Sequence, residues 1–429
     1  MPVVVPLLIN DGLVVPLTRP DVGPPRVPVD DLLREGELRC VYRPFVNLDT
    51  RAVVAHEALL RGPAGSAWES PRVLLDAARA DGRLADLERC SLRASLAHVA
   101  QSSRATPVTI FVRVEPETLT QRPEVILAAV ADRAADIRVV VAVTAHDLAN
   151  DLAGVLRGAE LLRDAGCALA LDVRPESLAF VPLVRPEVVR LNLDLLRTVG
   201  EGTTLTIAGA VRAYAEVSGA EVVVEGIETE DDLTHALILG ATLGQGSLWG
   251  PPTPAVGPAQ WDLRRFEAHA TRETTCTTPF QLAGRAKDVR RAPKRMLVPI
   301  SRTLELMALD LRVPPVLVAG FERAQFFGSA TARRYTELAH RLAFVCALGL
   351  DMPMTPAPGV RGQPLTPEDP LAREWTVVVL GAHRAAALVA RDAGSQGADG
   401  DREFDFVVTY DRALVIAAAQ CLVGRVAPR

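Results

Sequence analysis

From Leu38 to Gly250 the chain alternates short, β-branched apolar runs with longer amphipathic stretches, and nothing else in the sequence constrains the fold as much. Strand-period runs separated by helix-length stretches are joined by crossovers, and crossovers make neighbouring strands parallel. The runs are VYRPFV (41–46), AVVAHEALL (52–60), VTIFVRV (108–114), RVVVAV (138–143), ALALDV (168–173), EVVRLNL (187–193), EVVVEGI (221–227) and a last short one near Gly244. That number of units predicts an α/β fold of the (β/α)8, TIM-like type, with its chemistry at the C-terminal strand ends. Among the helical stretches, SPRVLLDAARADG opens with Ser70 as a cap and Pro71 in the first turn.

The rhythm stops after Gly250. PPTPAVGPAQ brings in four prolines, and six basic residues with one acidic residue follow between Arg285 and Arg295. The expected organisation is therefore an N-terminal extension (1–34), a barrel (35–255), a linker (256–295) and a smaller α/β domain (296–429). In the second unit the expected order is a helix (SRTLELMAL), a strand (PVLVAGF), a helix (ARRYTELAHRL), a strand (FVCALG) and a Pro/Gly-rich loop from Asp351 to Asp369. A strand (WTVVVLG), a helix (HRAAALVARD), a polar turn (DAGSQGADGDRE), a strand (FDFVVTY) and a closing helix complete it. The basic run reads either as a solvated linker or as a contact for phosphate or an acidic protein.

Composition narrows the partners. With 429 residues, 49% hydrophobic and 23% charged, the chain has material for two packed cores. A net charge of −5 and a pI near 5.9 give no global pull toward nucleic acid or an anionic membrane. The six cysteines, Cys40, Cys90, Cys167, Cys276, Cys346 and Cys421, form no CxxC pair, which argues for reduced thiols rather than zinc or disulfides. The opening MPVVVPLLIN lacks a basic leader and is broken by prolines, so it reads poorly as a signal peptide; a cytoplasmic protein is expected.

The segments YRPFVNLDTRAVVAHEALLRGP, FVRVEPETL, VVVAVTAHDL, ALALDV, VVRLNL, VVVEGIET and LGATLGQGSLWGPPTP resemble, in order, the EAL-domain phosphodiesterases of bacterial cyclic di-GMP signalling. In active members a pair of divalent cations, Mg2+ or Mn2+, activates water against one phosphodiester linkage, which requires several converging oxygen ligands. The resemblance places the family's metal-binding Glu at Glu57, the first Asp of its pair at Asp172 and a Glu at Glu225. Three other ligand positions carry Arg113, Ala142 and Val173, the glycine-rich loop has become RPES, and the catalytic lysine and a nearby Asp appear as Arg190 and Asn192. Glu228 and Gln245 match their family counterparts.

The resemblance thus implies no catalytic residues beyond the remnants Glu57, Asp172 and Glu225, no resident metal, and a barrel that has lost catalysis. A guanidinium at Arg113 among those carboxylates would act as a metal substitute, or else Arg113 turns outward. The positions that would survive for ligand binding are Glu57, Leu59, Arg61, Arg113, Asp172, Arg190, Glu225, Glu228 and Gln245.

The second unit, through ISRTLE (300–305), VLVAGFERAQFF (316–327), RRYTELA (333–339), DPLAREWTVVVLG (369–381), AALVARD (386–392) and FDFVVTYDRALVIAAAQCL (404–422), resembles the DICT sensory domain. Phe321, Phe326, Phe327, Tyr335, Phe344 and Trp375 either line a small-molecule pocket there or build its core. His340 and His383 stand alone and suggest no ligand set. Three functions follow. The first is a regulatory protein with an inactive barrel, acting on a protein partner with or without cyclic di-GMP, as a homodimer. The second is a residual metal-dependent phosphodiesterase, and the third a small-molecule or light-linked sensor that uses the barrel as a dimerisation platform.

Overall fold

The computed structural model describes residues 30, 32–33, 38–102, 107–144, 148–257, 259, 278–394 and 398–428. The opening run MPVVVPLLIN, Cys276 and most of the expected linker lie outside the described residues.

The first domain is a closed barrel in sequential order: β1 (Arg39–Asn47), β2 (Val53–Arg61), β3 (Val108–Val114), β4 (Ile137–Thr144), β5 (Ala168–Asp172), β6 (Val188–Asn192), β7 (Glu221–Glu225) and β8 (Leu243–Gln245). The expectation of all-parallel strands is corrected at β1, which runs antiparallel to both β2 and β8. The connection from Asn47 to Val53 is a tight turn in which Asn47 Oδ1 accepts from the backbone N–H groups of Asp49 (3.1 Å) and Thr50 (2.9 Å). A turn that short has no room for a crossover helix, so the chain must double back. Because β1 is reversed, its first residues sit at the end of the barrel where β2 to β8 finish, and Arg43 pairs with Glu57.

The barrel interior is filled by Phe45, Ala55, Phe111, Val140, Ala142, Ala170, Val188 and Val223, large on one side and small on the other, with the Phe45 and Phe111 rings 4.3 Å apart. A second layer of Val, Leu and Ile on the outer strand faces receives the surrounding helices. Among the described residues no helix is long and apolar enough to cross a membrane.

The second domain is one seven-stranded mixed sheet. It comprises β9 (Arg290–Pro293), β10 (Val316–Arg323), β11 (Phe344–Leu350), β12 (Arg361–Leu365), β13 (Glu374–Leu380), β14 (Ala385–Asp392) and β15 (Glu403–Thr409), in the order β12-β11-β10-β13-β14-β15-β9. Three expectations are corrected here. HRAAALVARD is strand β14 rather than a helix. Gly381 N–H donates to Arg384 O (2.8 Å) in a turn that returns the chain antiparallel to β13. Ala385 and Ala387 face one core while Ala386, Leu388 and Ala390 face another, so burial on both faces overrides alanine's helical preference. The Pro/Gly-rich stretch contains strand β12, paired parallel to β11. The end of the expected linker forms the helix Pro279–Ala286 and edge strand β9 against β15, so the second domain starts earlier than its sequence suggests. Several of its basic residues are engaged, among them Arg291 with Asp405 (2.8 Å), Lys294 with Asp399 (2.7 Å) and Lys287 with Asp411 (3.3 Å).

Of the aromatic residues, Phe321, Phe327, Tyr335, Phe344 and Trp375 are buried core, the first three packed edge to face. Phe326 is half-buried beneath the Lys294 ammonium, 3.9 Å from its ring centre.

The two domains share a core. The closing helix Arg412–Val423 lays Val415, Ala418, Ala419 and Leu422 into the cluster that holds Phe180, Leu183 and Val184 of the barrel. Gln420 Nε2 donates to Leu183 O (2.7 Å), and His383 Nε2 lies 3.1 Å from Thr206 O.

Candidate functional site

Strand register assembles the site at the C-terminal end of the barrel. Arg43 lies opposite Glu57, Asp172 opposite Arg190 and Glu225 opposite Gln245, each on a neighbouring strand. Side chains alternate along a strand, so Arg190 shares the inward face of Val188, and Arg113 that of Phe111. Glu57, Asp172, Arg113, Arg190 and Glu225 therefore converge.

Arg190 occupies the centre. It is only 1% exposed, with Nη2 donating to Glu57 Oε1 (2.7 Å), Nε donating to Glu225 Oε1 (2.6 Å), and Nε 3.1 Å from Asp172 Oδ1. Its guanidinium carbon lies 5.8 Å from the centre of the Phe45 ring, which closes the site from below. Arg113 is the outer cation: it is 37% exposed, donates from Nη1 to Asp172 Oδ2 (2.7 Å) and brings Nη2 to 3.6 Å from Glu57 Oε1.

Three carboxylates thus face two guanidiniums, which leaves one excess negative charge. The titration of the group reflects that sum. Burial alone would raise the Glu57 carboxyl, but Arg190 and then Arg113 outweigh it and hold Glu57 below the ordinary carboxylate range. For Glu225 burial prevails over Arg190, helped by the Glu57 and Asp172 charges, and its carboxyl is pushed up. Burial disfavours the charged Arg190, yet the surrounding carboxylates hold its proton more firmly than usual.

The remaining sequence-predicted positions divide. Gln245 is buried beside Glu57, whose charge its amide supports, while its Nε2 makes no other hydrogen bond of normal geometry among the described residues. Leu59 and Arg61 share the Glu57 face of β2 beyond the end of its pairing with β3, and Arg61 Nη1 donates to Leu60 O (2.7 Å). Glu228 is exposed, and its backbone N–H donates to Asp232 Oδ2 (3.0 Å). Ala142 is packed in the barrel interior, and Val173 in the outer layer, its N–H donating to Arg190 O (2.9 Å). Asn192 caps the helix Leu193–Thr198 by accepting from Leu195 N–H (3.1 Å).

Two features escaped the sequence. One is that Arg190, rather than Arg113, holds the centre. The other is Arg43, half-buried opposite Glu57 with an Nε that has no hydrogen-bond partner among the described residues. Alternation with Phe45 was the signal for Arg43, legible only once β1 is known to run backwards.

Comparison with known proteins gives two family matches. The family model described as "EAL domain" matches residues 28–252, and the one described as "Sensory domain in DIguanylate Cyclases and Two-component system" matches residues 279–393. A curated relative, the uncharacterized protein y4lL of Sinorhizobium fredii, is 25% identical over 240 residues, which are 54% of this chain and 28% of that protein. The chain thus spans little more than a quarter of that relative's length. Among solved structures, the Klebsiella pneumoniae BlrP1 manganese/cyclic di-GMP complex is 23% identical (TM-score 0.46), covering 52% of this chain and 57% of that one. The Pseudomonas aeruginosa FimX EAL domain bound to cyclic di-GMP is 17% identical (TM-score 0.44), covering 53% of this chain and 95% of that one.

Proposed function

Since the chain belongs to the EAL-domain family and carries a DICT sensory domain behind its barrel, we propose that it is a cyclic di-GMP signalling protein whose barrel regulates without cleaving the nucleotide. The observation that carries this reading is the Arg190 guanidinium buried among Glu57, Asp172 and Glu225.

Metal-assisted hydrolysis needs hard oxygen ligands free to converge on the cations, which neutralise the phosphate and acidify a bound water. The residues present do not fit that demand. The three carboxylates that could serve are each ion-paired to Arg190, and Arg113, Ala142 and Val173 offer no side-chain oxygen. A fixed guanidinium also supplies no water of lowered pKa, so it balances the carboxylates without replacing the chemistry. Beside that cluster the mouth carries two further guanidiniums, Arg43 and Arg61, whose charges outnumber its one excess negative charge and suit recognition of a phosphate. The regulated target is then a protein partner, with or without nucleotide in the barrel.

The test is incubation of the full chain with cyclic di-GMP and Mg2+ or Mn2+, followed by chromatography for the linear dinucleotide. The expected result is no product above the protein-free control. Product that disappears in Glu57→Ala would overturn the reading and establish a phosphodiesterase.

A further inference from the structure

A cavity of about 350 Å3 lies where the two domains meet. Leu342, Phe344 and Val360 of the second domain line it, with Ala149 and Asn150 of the barrel opposite; Arg361 is the one charged side chain in the described wall. Arg361 is also a clasp: it donates to the barrel carbonyls Ala149 O (2.7 Å) and Asn150 O (2.7 Å) and to Ala427 O (2.6 Å).

We infer that this cavity binds a small apolar molecule bearing one carboxylate, and that it is the site through which the second domain senses. A joint between domains, walled largely by apolar side chains with a few convergent polar groups, here Asn150, Thr355 and Arg361, is where small ligands bind. The volume matches a single ring or a short chain. Arg361 sets the sign of the wall's charge and offers a planar fork that matches a carboxylate. A carboxylate held there competes with the carbonyls of Ala149 and Asn150, so occupancy alters the grip between the domains. Ala149 and Asn150 lie in the short helical turn Leu148–Asn150, the first described element after β4, and β4 is flanked by the strands that carry Arg113 and Asp172. The inference stands whether or not the barrel cleaves cyclic di-GMP.

Benzoate, indole-3-acetate and hexanoate, titrated into the full chain and followed by saturation-transfer NMR, test it. At least one of the three is expected to bind saturably. Its affinity should fall at least tenfold in Ala343→Trp, which fills the cavity, and in Arg361→Met, with benzyl alcohol as the uncharged comparator losing nothing in the latter. Met354→Trp, at the half-exposed rim, repeats the blocking test should Ala343→Trp melt early. No saturable binding of any of the three acids, or binding unchanged in the folded blocking variants, overturns the proposal.

Discussion

Arg190 is a buried charge whose removal leaves other charges behind. Taking one partner from a buried ion cluster costs more than the cluster's net worth, because Glu57 and Glu225, both largely shielded from water, lose their nearest counter-ion. Arg190→Met is expected to destabilise the protein by about 3–5 kcal/mol in urea denaturation. Arg113→Met should cost no more than about 1 kcal/mol, because that guanidinium is partly in water. A second residue-scale prediction concerns Glu88, which is 5% exposed and accepts from Glu115 N–H, with its Oε2 lacking a hydrogen-bond partner among the described residues. Burial pushes its carboxyl up to about 8. The folded state therefore holds a proton that the unfolded state releases, and stability falls as pH rises from about 4.5 to 8, by up to about 1.4 kcal/mol per pH unit. Glu225, raised likewise, adds a slope of the same sign, whereas the lowered Glu57 contributes stability that is lost only as pH falls through its folded pKa. Glu88→Gln should flatten the stability profile between pH 5 and pH 8; a profile as steep as that of the parent protein would show that Glu88 is ionised in the fold. At this scale the sequence identified Glu57, Asp172, Arg113 and Glu225 as a group. It could not rank the two arginines, because the central place depends on β6 being enclosed by β5 and β7, whereas Arg113 lies on β3 past the end of its pairing with β2 and is exposed.

Whole elements were legible where their period was unambiguous. All of the expected barrel runs became strands, since each is a short apolar segment, most of them rich in β-branched residues. Their direction was less legible: β1 carries the same composition as its neighbours, and only the shortness of the Asn47–Ala52 turn reveals that it runs antiparallel. The strand β14 was hidden for a different reason. Its AAALVA core scores as helix locally, and only the strands on either side of it decide otherwise. Close backbone approach sets another limit at the end of β8. A Cβ placed on Gly246 would sit 1.8 Å from Ile227 O, a contact with main chain that cannot swing aside. Gly246→Ala is therefore expected to cost about 1–3 kcal/mol, read as a lower urea midpoint with an unchanged slope. No loss of stability would mean that the segment following β7 can move away from the barrel.

Across the molecule, the boundary between the domains is not a boundary in the core. One apolar cluster runs from the barrel's outer layer through Leu183 and Val184 to Ala419 and Leu422 of the closing helix. Domains joined by such a core unfold together, and differential scanning calorimetry is expected to show one transition for the full chain. Ala419 is fully buried in that cluster, so Ala419→Arg should undock the closing helix and separate the transition into two. Two transitions in the unmodified chain would contradict a shared core. The sequence indicated two units and their order, but not that the second begins with the helix Pro279–Ala286, because a run of basic residues reads as linker until their acidic partners on β15 and its flanks are known. The proposal of a non-cleaving barrel rests on the barrel mouth, where the Arg190 guanidinium is ion-paired to Glu57, Asp172 and Glu225. Manganese binding to the full chain, followed by electron paramagnetic resonance at pH 7, tests it most directly. The account predicts that the free Mn2+ signal is undiminished by protein; stoichiometric loss of that signal, restored by Glu57→Gln, would contradict it.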